Sequence, residues 1–357
     1  MERAARDLPE SASSKRGDAR KTGGLDPAHV VRRLRPVGVH GGSPLTWIET
    51  PADVFALAEP ELAAAEVRLR ELVASEVDVV EAIGAYLASA GGKRLRPLLT
   101  ALGSGAVGHT GRIDGLMCAG ELIHLGSLLH DDVVDDGATR RGLPAAQRVY
   151  GNAAVILTGD FCLARAVLLA ATDGGHATVT ALAEAVTNMA EGEVLQLQRA
   201  GNLDTTLDQY LDMIDKKSAA LIAWCAAAGA LASGNDAAAA ALAAFGRGVG
   251  VAFQITDDVL DYNAGTGKPA GQDLREKKLT LPLLLAMERL PDLRARLYTD
   301  DLDTLLALVR ASGALDAAQD EARRRVDLAV GALGVLPPSV FRDALVVLGR
   351  YLVERSS

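Results

Sequence analysis

Residues Glu121 to Gly142 read ELIHLGSLLHDDVVDDGATRRG. The first half carries Leu122, Leu125, Leu128 and Leu129 at helical spacing, which predicts a helix with an apolar face. Asp131, Asp132, Asp135 and Asp136 then fall within six positions. Positions i and i+4 share one face of a helix, so Asp131 and Asp135 stand side by side. Like charges so placed repel, and the macrodipole is already negative at a helix C-terminus. Such a pattern weakens a helix unless a hard cation bridges the carboxylates. Mg2+ suits them, because it takes oxygen ligands and leaves positions open for phosphate oxygens. Gly137 is read as the glycine that ends the helix. Arg140 and Arg141 add planar donor forks suited to phosphate. A solvated acidic helix end followed by a basic turn is the plainer alternative. Carboxylates and arginines beneath a greasy helix point instead to a metal–diphosphate site with an apolar floor.

The rest of the chain supplies the surroundings such a site needs. Of its 357 residues, 49% are apolar but only 4% aromatic, and Ala and Leu dominate. These are strong helix formers and poor strand formers, so closely packed helices are expected and no strand is. A net charge of −9 argues against a nucleic-acid partner. Cys118, Cys162 and Cys225 sit in apolar stretches and read as core residues, which fits a reducing cytoplasm. The longest apolar run, 219–233, is too short for a bilayer, which needs about 20 residues, and reads as a buried helix. Residues 1–50 mix Arg, Asp, Ser, Gly and Pro without periodicity, as a disordered tail would. A transit peptide is the alternative, but Glu2, Asp7, Glu10, Asp18 and Asp26 make the segment too acidic. From Pro51 onward helix follows helix, and 51–357 reads as one helical domain.

Three further clusters carry chemistry. Gly91-Gly92-Lys93-Arg94-Leu95-Arg96-Pro97 crowds cations into a first helical turn, where the dipole disfavours them. Exposed amides with Lys93 and Arg96 would hold a diphosphate, and His124 is placed to share it. Either that holds or the cluster is a basic surface turn. Glu193 and Gln196 share a face at i, i+3 and are either outer ligands of metal-bound water or solvated polar groups. Lys216, Lys217 and Ser218 are read as opening a helix, with Lys217 on phosphate. Then Phe253-Gln254-Ile255-Thr256-Asp257-Asp258-Val259-Leu260-Asp261 repeats the opening pattern, an apolar helix running into DDxxD. Gly267-Lys268 and Gly271-Gln272-Asp273-Leu274 follow. Two such motifs, each near phosphate-binding cations, form a specific signal.

In these motifs and their order the chain resembles the trans-prenyl diphosphate synthases (the polyprenyl synthetase family), over about residues 51 to 357. The resemblance implies an all-α, isoprenoid synthase-type bundle around a deep central cavity, commonly a homodimer. It implies isopentenyl diphosphate on Lys93, Arg96, His124 and Arg141. The allylic diphosphate would lie on Arg140, Lys217 and Lys268, with Ser218 and Gln254 beside it. Mg2+ would sit on Asp131, Asp135, Asp257 and Asp261, while Asp132 and Asp258 complete the acidic walls. Ser218 stands where the family usually has Thr, and Lys277 where it often has Gly, so the loop there is expected to differ in shape. A terpene cyclase or a head-to-head synthase would lack the GGKRLRP cluster. An inactive partner subunit should have lost acidic or cationic members, and none is missing.

Product length is read from the residues before Asp131. Gly126 and Ser127 stand five and four positions ahead of it, with Gly120 and Ala119 deeper. In the family a bulky aromatic there stops elongation, and this chain has none. At 1.5 Å per residue, an open path from Asp131 to Ala119 clears about four isoprene units. A long-chain product is expected, with quinone side chains as its destination. Geranylgeranyl or farnesyl diphosphate is the shorter alternative.

Overall fold

A computed structural model describes residues 47–89, 94–137, 139–140, 143–263 and 270–354. Lys93, Arg141, Lys268 and nearly all of the N-terminal tail lie outside these residues. Helix begins where the pattern predicts. Thr50 caps α1 (Pro51–Leu57), its hydroxyl accepting from the Asp53 amide while the Asp53 carboxylate accepts from the Thr50 amide. Then come α2 (Glu59–Val73), α3 (Asp78–Ser89), α4 (Leu95–Ala106), α5 (Asp114–Val134) and α6 (Asn152–Arg199). The second half supplies α7 (Leu207–Ile214), α8 (Ala220–Ala232), α9 (Asp236–Leu260) and α10 (Leu281–Arg289). The last are α11 (Leu302–Ala311), α12 (Ala314–Ala332) and α13 (Val340–Glu354). Short helical turns occupy Ala146–Tyr150, Gln272–Arg275 and Leu293–Arg296.

The alanine-rich run is the central helix, as expected: every residue from Ala220 to Ala230 in α8 is buried. It packs on α4, α6 and α9, while α5 runs along α6 and α12 covers α9. Small residues let these helices touch at their backbones. A Cβ on Gly103 would lie 2.1 Å from the Ala226 carbonyl oxygen, and one on Gly246 would lie 2.7 Å from that of Ile222. The Trp224 indole donates to the Thr178 carbonyl at 3.0 Å and ties α8 to α6.

One expectation needs correction. A strand does occur: Thr139–Arg140 pairs antiparallel with Leu143–Pro144. Helix α6 runs through Asp160 without interruption and on to Arg199, with one break at Gly175 (φ 77°, ψ −170°). Helices α6 and α9 are long and apolar enough, by length and composition, to cross a membrane. Packing of α9 between α8 and α12 marks it as a core helix.

Candidate active site

The first acidic motif closes α5. Asp131 and Asp135 are one turn apart, with the Asp135 amide donating to the Asp131 carbonyl at 2.8 Å. Asp135 lines a cleft of about 210 Å³, and Asp132 is buried at 5% exposure. The helix ends differently from the expectation. Asp136, not Gly137, takes the left-handed conformation at φ +47°, a conformation that a short polar side chain tolerates. Arg148 explains the choice, donating to both the Asp136 carbonyl (2.8 Å) and its carboxylate (2.7 Å). Asp136 therefore holds the turn, and the Gly137 carbonyl accepts from Gln147 at 2.8 Å. His130 faces α6, within 3.1 Å of the Ile156 carbonyl and 3.3 Å of Asp160. Arg140 stands on the first strand of the ladder just beyond.

Lys216, Lys217 and Ser218 do not open a helix. They lie in a π-helical turn, Asp215–Ala219, continuous with α7 before it and α8 after it. Their cations therefore meet no free helix N-terminus. A π-turn carries an extra residue per turn and so can push side chains out of the ordinary helical register. Glu191-Gly192-Glu193 of α6 grips this turn. Glu191 pairs with Lys216 at 2.7 Å and Glu193 with Lys217 at 2.6 Å. A Cβ on Gly192 would meet the Lys217 amide nitrogen at 2.4 Å, so only glycine permits the approach. Gln196 accepts from Lys217 at 3.1 Å. Glu193 and Gln196, both half-buried, cradle the lysine that faces the cleft.

The second motif closes α9 on the same cleft, with Gln254 and Asp258 lining it opposite Asp135. Its three aspartates have different neighbours. Asp258 is buried at 6% exposure and accepts from the Tyr210 hydroxyl (2.6 Å) and the Gln254 amide (2.9 Å). Burial, with the Asp273 carboxylate nearby, pushes its carboxyl well above the usual range, against the pull of those two donors. Gln254 accepts in turn from the Ser218 hydroxyl at 2.8 Å. Asp261, expected as a metal ligand, also holds its own loop. Its carboxylate accepts from the Gln272 amide (3.2 Å) and the Asp273 amide (3.0 Å), clasping the loop to the end of α9. Asp257 is half-buried.

Tyr210, Asp273 and Lys278 also line the cleft and were not singled out as site residues. Lys278 bonds Glu276 at 2.5 Å. Its cue was its place after the second motif, in Glu276-Lys277-Lys278-Leu279-Thr280. Lys277 has φ +51°, the backbone glycine favours, so its presence does not deny the turn a glycine-like shape. Its ammonium lies 4.3 Å from the centre of the Tyr298 ring.

Of the first basic cluster, Arg94 and Arg96 are described. Arg94, at φ +47°, precedes α4 and pairs with Glu66 of α2 (2.9 Å) and Glu121 of α5 (2.7 Å), so its charge is matched inside the protein. The Arg96 Nε is buried without a partner among the described residues. Burial lowers the pKa of that guanidinium, and Glu121 partly opposes the shift. A buried, incompletely bonded guanidinium suits an anionic ligand. His124 is half-buried one turn beyond Glu121 on α5.

The small residues behind Asp131 do not all open onto space. A Cβ on Gly126 would lie 3.0 Å from the Gly159 carbonyl oxygen and 3.4 Å from the Cys162 Cβ. One on Gly120 would lie 2.5 Å from the Cys225 sulfur. These glycines let α6 and α8 approach α5, which corrects the reading of Gly126 as clear cavity wall. Ser127, half-buried, turns its hydroxyl back to the His124 carbonyl at 2.9 Å.

The sequence pattern of the polyprenyl synthetase family spans residues 77–301. The chain is 37% identical over 313 residues to an octaprenyl diphosphate synthase of Escherichia coli (strain K12), covering 84% of this chain and 97% of that one. It is 36% identical over 321 residues to an all-trans-nonaprenyl-diphosphate synthase (geranyl-diphosphate specific) of Rhodobacter capsulatus, covering 86% and 99%. A polyprenyl synthase from Caulobacter crescentus CB15, solved in complex with calcium and isoprenyl diphosphate, superposes with a TM-score of 0.81. That match has 38% identity over 86% of this chain and 98% of the other.

Proposed function

The chain belongs to the polyprenyl synthetase family and is a prenyltransferase, and we propose that it condenses isopentenyl diphosphate head to tail (1'-4) with an allylic diphosphate to build a long-chain all-trans polyprenyl diphosphate. One observation carries the reading: two acidic helix ends, on α5 and α9, open onto a single cleft that also holds Lys217 and Lys278. Its relatives named for octaprenyl and nonaprenyl products support the long chain, and a quinone side chain is the proposed destination.

Among the described residues no three acidic or imidazole groups are drawn together tightly enough to hold a metal alone. Carboxylates facing one another across a cleft fit Mg2+ that completes its shell with diphosphate oxygens and water. Asp131 and Asp135 would hold it on the first wall and Asp257 on the second. When bound, it neutralises the departing pyrophosphate. The chain's own groups do the rest. Lys217 and Lys278 orient the allylic diphosphate, and Arg96 with His124 holds isopentenyl diphosphate. The apolar helices keep water from the allylic cation until the double bond attacks. The proton then lost goes to the departing pyrophosphate. Labelled isopentenyl diphosphate with farnesyl diphosphate and Mg2+ tests this, with chromatography of the dephosphorylated products. Long-chain alcohols are expected; no label in prenyl product would overturn the reading.

We also propose a homodimer joined through α6. Leu157 (65% exposed) and Leu168 (55%) lie three turns apart on one face, with Ile156 and Val167 beside them. An exposed apolar stripe of this kind needs a cover, and a second copy supplies a matching one. Leu157→Glu with Leu168→Glu should yield monomers by light scattering where the parent gives dimers. A monomeric parent would overturn the proposal. The three buried thiols, pushed up to about 12, 11 and 12 by burial, suit a soluble cytoplasmic enzyme.

A further inference from the structure

Tyr210 belongs to neither acidic motif and to no basic cluster, yet its side chain is fully buried against the second wall. Its hydroxyl lies 2.6 Å from Asp258 Oδ2. The carboxylate oxygen accepts that hydroxyl's proton in a hydrogen bond. Asp258 Oδ1 takes the Gln254 amide at 2.9 Å, and Gln254 Oε1 takes the Ser218 hydroxyl at 2.8 Å. The donors thus converge on Asp258, from Tyr210 on one side and from Ser218 through Gln254 on the other. The carboxylate fixes which end of the Gln254 amide faces it and which faces the π-turn.

We propose that Tyr210 is a positioning residue for prenyl transfer, which acts through Asp258 to fix the Gln254 amide and the Ser218 hydroxyl at the cleft. This rests on the prenyltransferase reading above. Two elements meet at this hydroxyl: α7 carries it and α9 accepts its hydrogen bond. With phenylalanine here the ring still fills its site, but Asp258 Oδ2 loses its donor in a buried place. The carboxylate must then turn to find another donor. That frees the Gln254 amide to flip and removes the acceptor that holds Ser218. Groups that receive the allylic diphosphate lose their set, while those around Arg96 and His124 on α4 and α5 keep theirs.

The test is Tyr210→Phe in the full chain, assayed with farnesyl diphosphate, isopentenyl diphosphate and Mg2+. A fall in kcat of about ten- to a hundredfold is expected, with a raised KM for the allylic substrate. The KM for isopentenyl diphosphate should stay within about twofold. Inorganic pyrophosphate with Mg2+ should raise the melting temperature of the parent and do so less for the variant. Asp258→Asn supplies the second arm: in that background Tyr210→Phe should change kcat by less than about twofold, because the path is already cut. The double variant also loses the buried charge with its donor, so it keeps the measurement available if the single variant folds poorly. A lowered melting temperature with unchanged kcat and KM values would make Tyr210 merely structural and overturn the proposal. An equal loss in both backgrounds would overturn it too. If the parent transfers no prenyl group, the family reading fails, while the pyrophosphate shift still reports on Tyr210.

Discussion

Asp257→Ala is expected to lower turnover by about two to three orders of magnitude or more, with no change in helical content. The second motif contains three carboxylates, but they are not interchangeable. Asp258 has both oxygens engaged by Tyr210 and Gln254. Both oxygens of Asp261 accept backbone amides of the following loop. Asp257 is the metal ligand proposed above for the second wall. A preorganised ligand of this kind acts mainly in the transition state, so its removal lowers kcat more than it weakens substrate binding. Asp131→Ala should behave alike on the first wall. Asp261→Ala should instead show itself as a loosened loop, with greater proteolysis around residue 271 and a smaller loss of kcat. Initial rates at saturating substrate, with circular dichroism as the fold control, measure all three. Activity within tenfold of the parent for Asp257→Ala would overturn the two-wall arrangement.

That difference among aspartates also shows how much the sequence could reveal. Helices, and the acidic ends of two of them, are local properties: apolar spacing and i, i+4 carboxylates can be read without knowing any neighbour. The all-α class, the burial of the alanine-rich helix within 219–233 and the presence of two DDxxD motifs were therefore legible. Roles within a motif were not, because they depend on which distant group arrives. Asp136, Asp258 and Asp261 carry the same side chain, and Arg148, Tyr210 and two loop amides separate their uses. The ion pair that holds Lys217 was hidden because Glu193 lies 24 positions earlier, on another helix. The π-turn was invisible for a related reason. Ordinary helix formers such as Lys and Ala fill it, and the close approach at Gly192 shows only in three dimensions.

Product length gives the second large effect, and the structure divides two neighbouring positions that the sequence treated alike. Ser127→Phe should shift the product from long-chain to farnesyl- or geranylgeranyl-sized alcohols while short allylic primers are still consumed. Gly126→Phe should instead destabilise the fold. Residue 126 points at α6, where even a Cβ comes within 3.0 Å of the Gly159 carbonyl oxygen. A phenyl ring there must push α5 and α6 away from each other, and overpacking of this kind costs about 1–3 kcal/mol or more. In a domain of this size that is a fall of a few degrees in melting temperature. Ser127 sits about 100° further round the helix and is half-buried. Its hydroxyl bonds only its own preceding turn, so a larger side chain breaks no contact between helices. A ring at 127 then occupies space beside the first isoprene units below Asp131, where the growing tail has to pass. Dephosphorylated products resolved by chain length, together with melting curves for both variants, separate the two effects. An unchanged product distribution for Ser127→Phe would remove α5 from the wall of the tail's path. A stable Gly126→Phe making short products would show that α6 yields at Gly159 and that the packed face is the one the tail follows.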